Sequence, residues 1–327
     1  MAPRSPNEAA AADPEPGSGR RAAMLVGLVA AAWLAAARML ARYGVQLLPA
    51  SVTHRLTLQS YLALAELVST LLGLGLAFAL LSRPRLELGL RRPTARDLGL
   101  TLLWAPVLFV VTSYLAIGIA LPTLLAELEQ GGRQLVERNS GEFGRALVRT
   151  EALLTLLWGV LLAPVAEELA FRGALWSALA RLGRGLDRPA ARSLPPELLD
   201  ESPLLRAARQ ARGWLARGGV ATLGAAVLFA WMHADEQGGA GIVRVVSTAC
   251  LGLGCGLARQ STGSVLPGML LHALFNLMAL AQLRRWVVFA AFPRHYTVPT
   301  LLSLLAGACL FGLLLIHANR WWRQRRT

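Results

Sequence analysis

Pro164-Val165-Ala166-Glu167-Glu168-Leu169-Ala170-Phe171-Arg172-Gly173 sets two carboxylates and a guanidinium inside an apolar run that extends from Leu153 to Leu179. On insertion scales each such group near the middle of a membrane helix costs roughly 2.5–3.5 kcal/mol, so three in one segment need partners or a purpose. Glu168 and Arg172 stand four residues apart, on one face of a helix, where they can neutralise each other. Glu167 is turned about 100° away from its neighbour and has no local partner.

The rest of the chain fits a membrane setting. Of 327 residues, 55% are hydrophobic and 16% charged, and the mean hydropathy is +0.48, beyond the apolar usage of a soluble domain. The formal net charge of +14 does not read as nucleic-acid binding. Every basic residue is an arginine, the arginines lie between apolar runs and at the C-terminus, and such juxtamembrane charge orients helices and meets anionic lipid. The absence of lysine and the wealth of Ala and Arg suggest the GC-rich codon usage of a bacterium. Cys250, Cys255 and Cys309 all fall in apolar runs without disulfide or metal-site spacing and read as small buried hydrophobes.

Eight apolar runs follow one another: Ala22–Ala37, Leu58–Leu81, Leu98–Leu121, Ala152–Leu179, Gly218–Ala234, Gly241–Ala258, Ser264–Leu283 and Val298–His317. Most reach the ~20 residues that cross ~30 Å of hydrocarbon, the fifth and sixth being short. The expected fold is all-α, a polytopic membrane protein of about eight transmembrane helices around a polar intramembrane cavity. Residues 1–21 read as a disordered tail and 22–145 as the first three helices with their loops. Residues 146–283 read as the catalytic core, with a cytoplasmic insert at 183–217, and 284–327 as the last helix with a basic tail. Arginines concentrate between the second and third runs, between the fourth and fifth, and at the C-terminus. This places those segments, and both termini, on the cytoplasmic side of the plasma (inner) membrane. Arg284, Arg285 and Arg294 run against that count. The third-to-fourth loop, with Glu127, Glu129, Glu137 and Glu142 against Arg133, Arg138 and Arg145, suits the outer side. The later part of the insert, from Leu204 to Leu215, is amphipathic and fits a membrane surface.

Two further runs carry polar groups. Phe229-Ala230-Trp231-Met232-His233 puts an imidazole one turn beyond an aromatic ring, and His272-Ala273-Leu274-Phe275-Asn276 sets His and Asn on one face. A lone intramembrane histidine is commonly a packing residue; two of them with Asn276 and the Glu167, Glu168, Arg172 cluster form a chemically complementary set. A carboxylate in a low-dielectric pocket can act as general base toward water, an imidazole can hold that water or pass its proton, and Asn and His can donate to an oxyanion. Alternatively Glu167, His233 and His272 make a His₂Glu set that could hold a zinc ion (Zn2+) with one open position. There is no His-Glu-x-x-His helix, and both chemistries stay open.

Glu167-Glu168-x-x-x-Arg172, Phe229-x-x-x-His233 and His272-x-x-x-Asn276, in that order and each in an apolar run, resemble the three motifs of the CAAX prenyl protease 2 and lysostaphin-resistance-protein-A-like group, the CPBP intramembrane proteases. The resemblance spans roughly residues 150–283. It implies eight membrane helices, a water-filled cavity and endoproteolysis of a peptide or membrane-protein substrate. By that resemblance Glu167 and His233 activate water, His272 and Asn276 support the oxyanion, and Glu168 and Arg172 shape the site. The long insert departs from what the chemistry needs, and a straight fifth span would leave His233 near the outer surface. Convergence on Glu167 requires a tilted or displaced fifth helix, for which a start in the amphipathic stretch before Gly218 is one route, with Pro164 able to kink the fourth and open the cavity. Two other functions stay in view: a non-catalytic immunity or interaction protein on the same scaffold, and a transporter relaying protons or a cation through the same residues.

Overall fold

The computed structural model describes residues 18–44, 49, 58–131, 152–183, 213–234 and 237–283. The start of the expected tail, the loop at 132–151, most of the insert, the span Val298–His317 and the basic C-terminus lie outside the described residues. Within them the chain is helical and contains no strand. The helices are α1 (Ser18–Tyr43), α2 (Leu58–Leu80), the short α3 (Pro84–Glu87), α4 (Ala95–Gly131), α5 (152–183), α6 (Val220–Met232), α7 (Gly238–Thr262) and α8 (Leu266–Leu283). Seven of the eight apolar runs thus form helices, and the chain is an all-α, multi-pass membrane protein. Four stretches are long and apolar enough to cross a bilayer, Ser60–Leu80, Ala95–Glu129, Leu153–Leu182 and Gly238–Thr262, and shorter apolar helices cover Arg21–Ala37, Val220–Met232 and Leu266–Gln282.

Several boundaries differ from those read in the sequence. α1 already includes Ser18–Arg21, placed above in the tail. α4 runs past Leu121 to Gly131, so Glu127 and Glu129 belong to a helix rather than to the following loop. Glu127 is buried, and its Oε1 accepts the Gly239 N–H at 3.0 Å. It satisfies one of the unpaired donors that open α7. At the other end of α4, Thr94 and Asp97 cap the helix reciprocally: Asp97 Oδ2 accepts from Thr94 N (2.9 Å) and Oγ1 (2.8 Å), and Thr94 Oγ1 accepts the Asp97 N–H.

α5 changes register instead of breaking at Pro164. π-helical turns at Leu156–Leu162 and Leu169–Leu175 flank an α-helical segment, Ala163–Glu168. Proline has no N–H for the α-helical ladder, and the wider π turn just before it absorbs the mismatch. α6 is 13 residues long, about 20 Å at 1.5 Å per residue. It is preceded by a π-helical turn, Leu215–Gly219, in which Gly218 adopts φ 119°, and the chain is helical from position 213. Gly218 breaks the helical run, so the segment from 213 and α6 are two helical pieces that meet at a kink.

Two buried clusters hold the bundle. Trp33, Phe109, Phe171, Phe229, Leu251, Cys255 and Phe275 belong to one, joining α1, α4, α5, α6, α7 and α8. Val26, Val29, Ala77, Leu81, Leu88, Ala174 and Ala178 belong to the other, where α1, α2 and α5 meet the α3 turn. Large side chains such as Leu71, Phe78, Leu103, Ile119, Val227 and Trp231 remain exposed on the outer faces, as lipid contact demands. Cys255 is fully buried and reaches the Gly268 carbonyl (3.5 Å), and Cys250 is half-buried.

At one end the turn at 88–91 is fixed by α7 and α8. The Val265 N–H donates to the Gly89 carbonyl (3.0 Å) and Ser264 Oγ to the Arg91 carbonyl (2.7 Å). Arg259, 6% exposed, donates through Nε to the Arg172 carbonyl (3.1 Å) and through Nη1 to Gly263 O, with Trp176 beneath its guanidinium. Gly89, at φ 70°, leaves the space the guanidinium occupies: a Cβ there would lie 2.3 Å from Arg259 Cζ.

Candidate active site

Glu168 and Arg172 are both completely buried, and Arg172 Nη1 donates to Glu168 Oε1 at 2.7 Å, the i, i+4 pair expected from the sequence. The intervening π turn does not separate them. The guanidinium lies 4.5 Å from the Phe229 ring centroid, a cation–π contact in a desolvated place. Close approach of α7 and α8 makes the niche: a Cβ on Gly252 would stand 3.1 Å from Arg172 Nη2, and one on Gly268 would stand 3.0 Å from Glu168 Oε2.

Glu168 Oε1 has a second partner. His272 Nδ1, on α8, donates to it at 3.0 Å, which fixes the imidazole ring and turns Nε2 toward Glu167 Oε2, 3.7 Å away. His233 is held by analogous logic from a different element. It caps the C-terminus of α6, and its Nδ1 donates to the Phe229 carbonyl one turn back, at 2.8 Å. Its Nε2 is left facing Glu167 Oε1 at 4.0 Å. Each Nδ1 hydrogen is committed, so in the neutral rings both Nε2 atoms are acceptors. Phe229 is the hub between them, with its ring 4.6 Å from that of His233, 5.6 Å from His272 and 5.1 Å from Phe171.

Glu167 thus faces two imidazoles while its neighbour is bound to arginine. Its side chain is 20% exposed against 0% for Glu168, so adjacent glutamates occupy opposite environments. Asn276 does not touch this group directly. It lies one turn beyond His272 on α8, and its Nδ2 donates to the Gly159 carbonyl at 2.7 Å. The Asn276 amide thereby clamps α8 to the first π-helical turn of α5, and it keeps one N–H in hand.

A zinc ion does not fit this arrangement. Among the described residues no group of three His, Cys, Asp or Glu side chains is placed to hold a metal, so Glu167, His233 and His272 are not drawn together as a ligand set. The 3.7 and 4.0 Å separations around Glu167 suit a water bridge between carboxylate and ring nitrogen.

One acidic residue near the site is absent from the motifs. Glu66 is half-buried on α2 and lies within the electrostatic reach of Glu167. A single carboxylate in the run Leu58–Leu81 was the signal that could have found it.

Residues 149–278 match the model of a family described as Rce1-like, type II CAAX prenyl endopeptidase Rce1-like. No curated protein and no solved structure matches the chain. The matched segment holds Glu167, Glu168, Arg172, His233, His272 and Asn276, and over it this multi-pass membrane chain is similar to the Rce1-like family of CAAX-type endopeptidases.

Proposed function

We propose that the protein is an intramembrane endopeptidase in which Glu167 activates water. The observation that carries this reading is the placement of the Glu167 carboxylate, free of its neighbour's arginine, opposite two imidazole nitrogens at distances suited to one bridging water. Glu167 takes one proton of that water, and His233 Nε2 accepts a hydrogen bond from the O–H that remains. The oxygen attacks the peptide carbonyl, and Glu167 passes its proton to the nitrogen as the C–N bond breaks. The second Asn276 N–H supplies a donor for the oxyanion, and His272 Nε2 accepts from the attacking water beside Glu167. Glu168 and Arg172 act through His272 by fixing the ring. The substrate class is a peptide or membrane-protein segment, and the site is reached from within the plasma membrane.

The test is purified protein in proteoliposomes given a quenched-fluorescent peptide ending in a CAAX sequence, farnesylated or not. Glu167→Gln keeps the shape and removes the base; turnover should fall by about 10²–10⁴-fold, the usual weight of general acid–base catalysis, with the thermal midpoint unchanged. Cleavage by this variant at the wild-type rate would overturn the reading. Flux of protons or cations without cleavage would favour transport.

A further inference from the structure

Each π-helical turn of α5 diverts a backbone hydrogen bond, and each time a side chain from another helix takes the place. In an unbroken α-helix every N–H donates four residues back. At the end of the first turn the Ala163 N–H instead reaches the Trp158 carbonyl, and Pro164, next in line, has no N–H. The Gly159 carbonyl is thus passed over, and Asn276 Nδ2 donates to it at 2.7 Å. At the end of the second turn the Trp176 N–H likewise goes to the Phe171 carbonyl and away from that of Arg172. Arg259 Nε donates there at 3.1 Å. A buried carbonyl stripped of its donor is costly, so each turn is held by the side chain that serves it.

Asn276 already belongs to the site, whereas Arg259 comes from α7 and lies outside the three motifs. Its far end is fixed: Nη1 donates to the Gly263 carbonyl, the guanidinium lies 5.0 Å from the Trp176 ring centroid, and Gly89 seats it where no side chain fits. The residue whose carbonyl it holds is the one that organises the site. Arg172 Nη1 donates to Glu168 Oε1, and the same oxygen accepts from His272 Nδ1, which turns Nε2 toward Glu167.

Resting on the hydrolytic reading, we propose that Arg259 is a positioning residue: by holding the Arg172 carbonyl it fixes the second π turn, and through Arg172 and Glu168 it sets how the His272 ring meets the water beside Glu167. The role needs an N–H at Nε and not the positive charge, and two substitutions separate the two. Lysine puts a methylene where Nε stands and its ammonium where Cζ stands, so it keeps the charge over Trp176 and a donor near Gly263 but loses the bond to Arg172. Glutamine puts its amide nitrogen where Nε stands, so it keeps that donor and loses the charge.

The test compares Arg259→Lys with Arg259→Gln for cleavage of the quenched-fluorescent CAAX-ending peptide. Spectra of the same preparations labelled with ¹⁵N-histidine follow His272, whose signal is assigned by its loss in His272→Gln. Arg259→Lys should lower kcat by about 10–10²-fold, the weight of an ångström-scale misplacement, with KM little changed, and should move the His272 Nδ1–H resonance. Arg259→Gln should keep most of the wild-type kcat and leave that resonance in place. A role through charge or general stability gives the opposite order, and that order, or equal losses with the resonance unmoved, overturns the proposal. Thermal midpoints check folding. Should one variant not fold, the other decides: a normal Arg259→Lys or an impaired Arg259→Gln overturns the proposal, and so does failure of both to fold. If the wild-type protein cleaves nothing, or Glu167→Gln cleaves at its rate, the hydrolytic reading fails, while the His272 resonance still decides whether Arg259 sets the ring.

Discussion

Glu167 and Glu168 are consecutive, and the difference in their roles comes from which neighbours the helix gives them. Glu168 spends its charge on Arg172 and His272 with no exposure at all; Glu167 keeps an accessible carboxylate. Removing one partner of a fully buried ion pair strands the other charge, at a cost of about 3–5 kcal/mol. Arg172→Met should therefore lower the thermal midpoint in detergent sharply, whereas the double variant Glu168→Gln, Arg172→Met should recover part of that loss. Equal loss in single and double variants would show that the pair is not what holds this niche. The i, i+4 spacings of Glu168 with Arg172, and of His272 with Asn276, were legible in the sequence because they are local. Glu66 was not, because the packing of α2 on the Ala163–Glu168 segment depends on which helix lies beside which. The Asn276 clamp on Gly159 was equally hidden, since it joins a side chain to a carbonyl of a distant span.

The helices show how local irregularity sets the site's geometry. Two π turns bracket the Ala163–Glu168 segment, and α6 stops at His233 rather than continuing outward. Hydropathy located both runs but could not reveal either feature, because a change of register leaves composition untouched. The early ending of α6 is what brings a residue at the edge of an apolar run against the middle of α5. Tight contact between α6 and α7 keeps it there: a Cβ on Gly252 would stand 3.0 Å from Ala226 Cα as well as close to Arg172. Gly252→Ala should force the two helices apart, destabilising the protein by about 1–3 kcal/mol, the scale of overpacking. It should reduce kcat through displacement of His233. Thermal unfolding and kinetics on one preparation check both expectations, and normal values of both would remove the contact from consideration.

At the scale of the molecule, contacts gather the basic turn and the end of α5 at one end of the bundle. Arg181 pairs with Glu87 at 2.5 Å, and Ser177 donates to the Glu87 carbonyl, so the end of α5 and the turn after α2 are joined. Arg83, Arg85, Arg91 and Arg92 crowd the same turn, which the positive-inside rule predicts to be cytoplasmic. Glu129 projects from the far end of α4 and is exposed. Single cysteines at positions 92 and 129, in a variant lacking Cys250, Cys255 and Cys309, test this with a membrane-impermeant maleimide on intact cells. Position 129 should label and position 92 should label only after permeabilisation. The reverse pattern would invert the topology.

The junctions that bracket residues 184–212 are pinned to each other. Trp176 Nε1 donates to Thr222 Oγ1 at 3.1 Å, Gln260 Nε2 reaches the Trp214 carbonyl, and Trp176 fills the space beside Gly218. The described residues on either side of that segment are thus held by the bundle, and lengthening a connection with fixed ends adds only about 0.6 kcal/mol per doubling. This is a natural splice point: a fluorescent or affinity module grafted between 184 and 212 should leave the proposed peptide turnover intact, giving a handle on the protein that avoids both chain ends.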